Sequence, residues 1–220
     1  SHDLSTPLQI ISGYIEMLED DRVTLSPQRI EIIKTEIEHL RRLVGDLTTL
    51  SQVEAGGLEM QLQPVSPVAL LESLQAAYQP IASRQSVSMT VTAPDRVPNI
   101  LVDERRMLQV LKNLVENALR YTPSGGSITL GVQAGDRVHI SVADTGSGIT
   151  AEDLPYVFDR FYRADKARSG NAGKMGLGLS ICKVLVTAQG GSITAHSDGK
   201  DMGSIFTMSF DLIEPALPER

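Results

Sequence analysis

Tryptophan is absent from the chain, cysteine occurs once, and aromatic residues make up only 4% of it. The lone Cys182 excludes an internal disulfide and fits a reducing compartment. With so few aromatic side chains, the core must be aliphatic. No apolar run approaches the length of a membrane span, and no signal peptide is visible. The chain therefore reads as a cytoplasmic piece with no membrane contact of its own. Basic charge is in deficit, with 20 Lys and Arg against 27 Asp and Glu, a net charge of −7. That argues against broad electrostatic binding to nucleic acid. There is no Gly-x-x-x-x-Gly-Lys-Ser/Thr either, which excludes a P-loop. What the 220 residues do hold is a 41% hydrophobic share, enough for one large or two modest domains.

Two heptad seams open the chain. Leu4, Leu8, Ile11, Ile15 and Leu18 recur at steps of four and three, and Ile30, Ile33, Ile37, Leu40, Val44 and Leu47 do the same. Between them lies a polar connection in which Ser26 can cap a helix and Pro27 can occupy its first turn. The spacing predicts an antiparallel helical hairpin over residues 1–55. One hairpin has little core of its own, whereas two make a four-helix bundle, so a homodimer through residues 1–54 is expected. On periodicity alone, a plain helical spacer is the simpler alternative. His2 points elsewhere. It lies beside the seam with Ser5, Thr6 and Gln9 as helical neighbours, a polar face unlike that of a core histidine. An exposed imidazole near neutral pH can act as a nucleophile. Pro7 should bend the helix just past it.

Gly56-Gly57 marks a domain boundary, and residues 58–213 read as the second domain. Alternation at Leu58, Met60 and Leu62 predicts its first strand. Ser66-Pro67 starts a helix running to about Arg84. Strands follow at Val87–Val91 and Ile100–Val102, then a helix capped by Asp103. Ile128–Val132 and Val138–Val142 form a hairpin. Glu152–Tyr156 reads as a short helix, Ala164–Lys174 as a polar lid, and Leu177–Gln189 as a helix. Ser192–Ala195 and Ser204–Phe210 are the last strands, and 214–220 is a flexible tail. The fold class is α+β: a helical hairpin, then an α/β sandwich with helices on one face of a mixed sheet.

Four stretches of the second domain carry chemistry. Asp144-Thr-Gly146-Ser-Gly148-Ile149 ends a strand in a carboxylate and a glycine turn, which suits either a tight capped turn or a ligand close to the backbone. Asn113, Asn117 and Arg120 recur at four and three and share one helix face. They suit a ligand or a polar seam against a loop. A buried Asp144 can accept from an exocyclic amine and reject a carbonyl in its place. Gly176 and Gly178 at a helix start offer amides to phosphate, and Asn117 offers oxygen to Mg²⁺. Phe158-Asp-Arg-Phe161-Tyr-Arg163 brings aromatics next to a cation. Phe158 and Phe161 have a plain alternative as packing anchors. Cys182 reads as core, and His39, His139 and His196 show no ligand spacing.

In this order, Asn113–Pro123, Asp144–Ile149, Phe158–Arg163 and Gly173–Lys183 resemble the N, G1, F and G2 boxes of the histidine-kinase ATP-binding domain. Ser1-His2-Asp3-Leu4-Ser5-Thr6-Pro7-Leu8 resembles that family's phosphoacceptor H box. The likeness covers roughly Ser1 to Leu212 and implies the Bergerat type of α/β sandwich. It implies a protein-histidine kinase of two-component signalling, with ATP and Mg as cofactors. His2 would be the phosphoacceptor, Asp3 its base, and Thr6 a water-positioning residue for phosphatase action. Asn113, Asn117, Arg120, Tyr121, Asp144, Gly146, Gly148, Ile149, Gly176, Leu177 and Gly178 would bind ATP. Asp144 would read the adenine amine, Asn117 hold Mg, and Arg163 meet the γ-phosphate. Lys166, Arg168 and Lys174 are further cations within reach. The partner would be a response-regulator receiver domain. By the same analogy the chain is a fragment of a longer, membrane-anchored protein. One departure is Ser5, where Arg is commoner in the family. The rival readings are another ATPase of the same superfamily and a non-catalytic dimerisation and docking module.

Overall fold

A computed structural model of the chain describes residues 2–19, 26–163 and 176–212, and within them the side chains other than those of 2–7, 18, 19, 39 and 54. It opens with two helices, α1 (His2–Glu19) and α2 (Pro27–Glu54). Ser26 caps α2 as the sequence suggests, its hydroxyl accepting from the Arg29 amide at 3.3 Å with Pro27 in the first turn. The helix α1 runs unbroken through Pro7. The two seams divide in an orderly way. Leu8 and Ile15 on α1, and Ile30, Ile37 and Val44 on α2, are exposed, while Ile11, Ile33, Leu40 and Leu47 are half-buried. The exposed set repeats every seven residues, so the hairpin satisfies one half of its apolar stripe and leaves the other half uncovered.

The rest forms an α/β sandwich. In chain order it comprises β1 (Gln63–Val65), α3 (Pro67–Arg84), β2 (Ser88–Thr92), β3 (Ile100–Val102), α4 (Glu104–Tyr121), β4 (Ser127–Ala134) and β5 (Arg137–Asp144), then α5 (Gly178–Ala188), β6 (Ser192–His196) and β7 (Ser204–Asp211). The main sheet has the order β2-β4-β5-β7-β6, with β2 parallel to β4 and every other pair antiparallel; β1 and β3 form a separate antiparallel pair. Alternation decides which face is covered. Ile128, Leu130, Ile140, Val142, Phe206 and Met208 point inward against Leu71, Leu74, Met107, Leu111, Ile181 and Leu185 of the three helices. The outer face carries Thr129, Ser141, Thr207 and Ser209. Cys182 is wholly buried in this core.

One sequence expectation needs correction. Leu58–Leu62 is not a strand: the first strand is Gln63–Val65, because its partner is the three-residue β3, which pairs with those positions alone. Leu58 and Met60 still pack on the core from irregular backbone. The short helix expected at Glu152–Tyr156 is present but shorter, a 3-10 helix over Leu154–Tyr156. The predicted lid at 164–174 lies outside the described residues, as does the tail at 214–220. No described helix is long and apolar enough to cross a membrane.

The hairpin is packed against the sandwich through α2. Leu43 and Leu50 are buried in the same apolar cluster as α5. Arg42 Nη1 pairs with Glu116 of α4 at 3.2 Å, and the Tyr78 hydroxyl of α3 donates to the other Glu116 oxygen at 3.1 Å. Burial, reinforced by the Glu116 charge, pushes the Tyr78 phenol up to about 12.

Asp103 is the other organising polar residue. Its carboxylate accepts from the Arg106 amide at 3.0 Å, capping α4, and from the Gln61 amide at 3.1 Å, while its own amide donates to Gln189 at 2.8 Å. Burial alone would raise this carboxyl. The two amides, with Arg105 and Arg106 nearby, outweigh it and hold the group below its ordinary value of 3.8. The folded pKa is depressed, so the stabilisation is present above the unfolded value and is lost as pH falls through the folded one. Asp103→Ala should destabilise the protein by about 1–2 kcal/mol in urea unfolding at neutral pH. Asp103→Asn should keep most of the cap and flatten the acid limb of the stability–pH curve below about pH 4.

Candidate active site

The cavity that matters lies between α4, the turn after β5, β7 and the start of α5, and measures about 200 Å³. Each wall has a local cause. α4 puts Met107, Val110, Leu111, Leu114 and Val115 into the core, which turns Asn113, Asn117 and Arg120 onto the opposite side. Asn113 and Asn117 are half-buried at the cavity and Arg120 and Tyr121 stand exposed at its edge. Asn113 Nδ2 also donates to the Gly178 carbonyl at 3.4 Å, joining α4 to the first residue of α5. That helix start has no side-chain cap, so its first-turn amides are left for another acceptor.

Asp144 closes the floor. It is half-buried, where a buried carboxylate was expected, because the cavity keeps it open on one side. Its Oδ1 accepts the Gly146 amide at 2.8 Å and its Oδ2 accepts the Ser204 hydroxyl at 2.5 Å. Both oxygens are thereby aimed, and each keeps a lone pair for a ligand donor. Gly146 does not line the cavity as anticipated; it is buried behind Asp144, where a Cβ would lie 2.5 Å from the Tyr121 carbonyl. Gly148 does line it, at φ 65°, with no room for a side chain against the Gly199 carbonyl. Ile149, Val157, Leu177 and Phe206 supply apolar walls.

The cavity thus collects Asn113, Asn117, Arg120, Tyr121, Asp144, Gly148, Ile149, Gly176, Leu177, Gly178 and Arg163 from the expected set. His2, Asp3 and Thr6 occupy the first turn of α1, and their side chains lie outside the described residues, as do Lys166, Arg168 and Lys174. Phe158 is an anchor, edge-on to Phe206 at 6.2 Å with Lys183 over its ring at 5.9 Å, whereas Phe161 is 58% exposed. Sequence reasoning missed Ser204, Ser147, Tyr162 and the contribution of α2. Ser204 faces Asp144 only through the β5–β7 register. Arg42, Leu43 and Asp46 of α2 line the cavity, and Arg42, Asp46, Asn113 and Glu116 also border a wider cleft of about 640 Å³ between α2 and α4.

Chemically, the cavity offers an aimed acceptor at one end, an apolar slot, and amide and guanidinium groups at the other. That donor–acceptor pattern suits a purine nucleotide, and Asn117, Arg120 and Arg163 all line the cavity. The Asn117 amide makes no hydrogen bond among the described residues, so its oxygen is available to a hard cation. No group of three or more His, Cys, Asp or Glu side chains gathers to hold a metal among those residues. A cation at Asn117 would therefore take most of its oxygens from phosphate and water, a set that suits Mg²⁺.

Comparison with known proteins agrees with this geometry. Residues 102–214 match the family model described as histidine kinase-, DNA gyrase B-, and HSP90-like ATPase, and the chain belongs to that family. Residues 1–56 match the His Kinase A (phospho-acceptor) domain, which makes the chain a sensor histidine kinase core. It is 35% identical to the sensor histidine kinase WalK of Bacillus subtilis over 96% of this chain and 35% of WalK. The chain spans well under half the length of the curated relatives it matches. Among solved structures, the histidine kinase AdeS of Acinetobacter baumannii superposes with a TM-score of 0.80 at 25% identity, covering 97% of this chain and 99% of that one. Full-length ShkA in complex with AMPPNP gives 0.74 at 28% identity, covering 100% of this chain and 46% of that one.

Ser204→Ala removes one of the two donors that aim Asp144. It should weaken adenine-nucleotide binding roughly fivefold by calorimetry, with Ser204→Thr close to the parent.

Proposed function

We propose that this chain is the catalytic core of a protein-histidine kinase that transfers the γ-phosphoryl group of ATP to His2. The observation that carries the reading is the doubly anchored Asp144 at the end of the apolar slot, in a chain whose first helix begins with the H-box histidine. Residues 1–55 serve as the dimerisation and phosphotransfer hairpin and residues 58–213 as the ATP-binding domain. Asp144 accepts from the adenine amine and so selects adenine over guanine, which would oppose a carbonyl to it. Tyr121, Ile149 and Leu177 flank the base. Gly176, Gly178 and the α5 amides meet phosphate. Asn113 and Arg120 border the phosphates, and Arg163 meets the γ-phosphate. Mg²⁺ held at Asn117 supplies charge neutralisation when the nucleotide is bound.

Helix arithmetic supports the choice of acceptor. Seven residues separate Glu19 from Pro27, so α1 folds back along α2. At ~1.5 Å per residue, His2 and Val44 lie equally far from that connection. Val44 is next to Arg42, Leu43 and Asp46, the α2 residues that line the cavity. The acceptor helix therefore starts level with the nucleotide site. A second copy of the chain covers the exposed heptad residues and forms the four-helix bundle, from which phosphate can be offered within or between copies.

In the reaction, a ring nitrogen of His2 attacks the γ-phosphorus in line. An N–P bond forms, the bond to the bridging oxygen breaks, and ADP leaves; Asp3 takes up the imidazole proton. The phosphoryl group then moves to an aspartate of a response-regulator receiver domain. Thr6, in the same helical turn as Asp3, can position water for the reverse duty of hydrolysing that phosphoaspartate. The family resemblance suits a cytoplasmic site of action for this piece.

Incubation with γ-labelled ATP and Mg²⁺ should give acid-labile, alkali-stable label on the chain. His2→Gln should lose it while binding nucleotide normally; Asn117→Ala should lose both labelling and Mg-dependent binding. Nucleotide binding with label retained in His2→Gln would overturn the acceptor assignment. Failure of the parent chain to bind nucleotide would overturn the kinase reading.

A further inference from the structure

Tyr162 is a residue the kinase reading leaves without a task. It precedes Arg163, and both line the cavity. Its hydroxyl donates to Asp153 Oδ1 at 2.6 Å, a charge-assisted bond at the short end of the range. Asp153 is itself fixed: its Oδ2 accepts the Thr150 hydroxyl at 2.8 Å, and its amide donates back to Thr150 Oγ1 at 3.2 Å. The Tyr162 ring also leans on Tyr156, with centroids 5.5 Å apart and planes at 35°. Thr150 follows directly on Ile149, so this cluster grows out of the turn that carries Asp144, Gly148 and Ile149.

The preceding residue shows why such a strut is needed. Phe161 has φ 63°, a left-handed conformation that a bulky side chain adopts only when its surroundings impose it. Its own ring is exposed. The segment is tied by the Phe161 amide to the Gly176 carbonyl at 3.1 Å, by the Tyr162 amide to Asp159 at 3.3 Å, and by the Tyr162 hydroxyl to Asp153. Of these only the last joins the segment, through a side chain, to the turn that carries the base-reading residues. Asp153 raises the Tyr162 phenol to about 12, and the hydrogen bond from Tyr162 lowers the Asp153 carboxyl.

We infer that the Tyr162–Asp153 bond is a positioning strut that sets Arg163 at the far end of the site, making Tyr162 a determinant of how strongly the γ-phosphate is recognised. The inference rests on the proposed role of Arg163 and adds to it. The adenine end, built on Asp144 and Ser204, needs no strut. Loss of the bond should therefore be felt by ATP and not by ADP.

The test measures Mg-dependent binding of ADP and of a non-hydrolysable ATP analogue, together with the rate of His2 labelling. Tyr162→Phe and Asp153→Ala should each leave the ADP affinity within about twofold of the parent, and lower analogue affinity and labelling rate about five- to tenfold, the worth of one ordinary hydrogen bond. The double variant should be no worse than Asp153→Ala alone, because the bond that Tyr162→Phe removes is already lost there. Asp153→Asn, which keeps an acceptor for the phenol, should recover most of the loss. A parent-like analogue-to-ADP ratio in Tyr162→Phe would overturn the strut. So would equal losses of ADP and analogue binding, which mark general disruption, or a defect in Tyr162→Phe without one in Asp153→Ala, which would mean the phenol touches phosphate itself. A parent chain that binds neither nucleotide would overturn the kinase reading instead, and the two failures are told apart by that control.

Discussion

Asp144 and Ser204 stand opposite one another in the antiparallel ladder of β5 and β7, and the site is built outward from that pairing. A carboxylate that is to accept from a ligand needs its oxygens aimed before the ligand arrives, since any freedom it retains weakens the discrimination. Here the aim comes from one backbone amide two residues on and one hydroxyl sixty residues on. The ladder that carries the second donor is central in the sheet, with β4 and β6 outside it. A slip of one residue would turn Ser204 to the other face and strip Asp144 of a donor, while also exposing Phe206, Met208 and Phe210. The apolar alternation of β7 therefore protects the polar geometry at its end.

The helices do the complementary work. α4 is strongly two-sided, and burying its apolar stripe on the sheet leaves no choice about where Asn113, Asn117 and Arg120 point. α5 begins without a side-chain cap, a local loss that makes sense only where another group takes up its amides. Asn113 links the two helices at that point, so the two walls of the cavity are held to one frame. Asp103 fixes the opposite end of α4, tying the helix start to the loop before β1 and to the end of α5.

Much of this was legible in the sequence because it depends on short-range pattern. The caps at Ser26, Ser66 and Asp103, the two seams, the β4–β5 hairpin and the clustering of Asn113, Asn117 and Arg120 all follow from period and turn chemistry. Leu58–Leu62 misled because alternation signals a half-buried strand only where a partner is present, and β3 is too short to pair with it. Ser204 was invisible for another reason. A serine opening a strand is unremarkable until strand register is known, and register is a long-range property. Arg42, Leu43 and Asp46 looked like ordinary helix-surface and seam positions; only the docking of α2 gives them a second neighbour.

That docking has a thermodynamic consequence. Since α2 supplies part of the cavity wall and Arg42 is paired with Glu116 one residue before Asn117, the contents of the cavity and the seating of the hairpin share a free energy. Linkage makes such sharing symmetrical. Whatever twist or slide of the hairpin favours or disfavours the bound nucleotide, the nucleotide imposes the same preference on the hairpin with equal strength. The chain can therefore be read in either direction, as a catalyst governed by its helices or as a helical bundle whose posture reports the state of its catalyst.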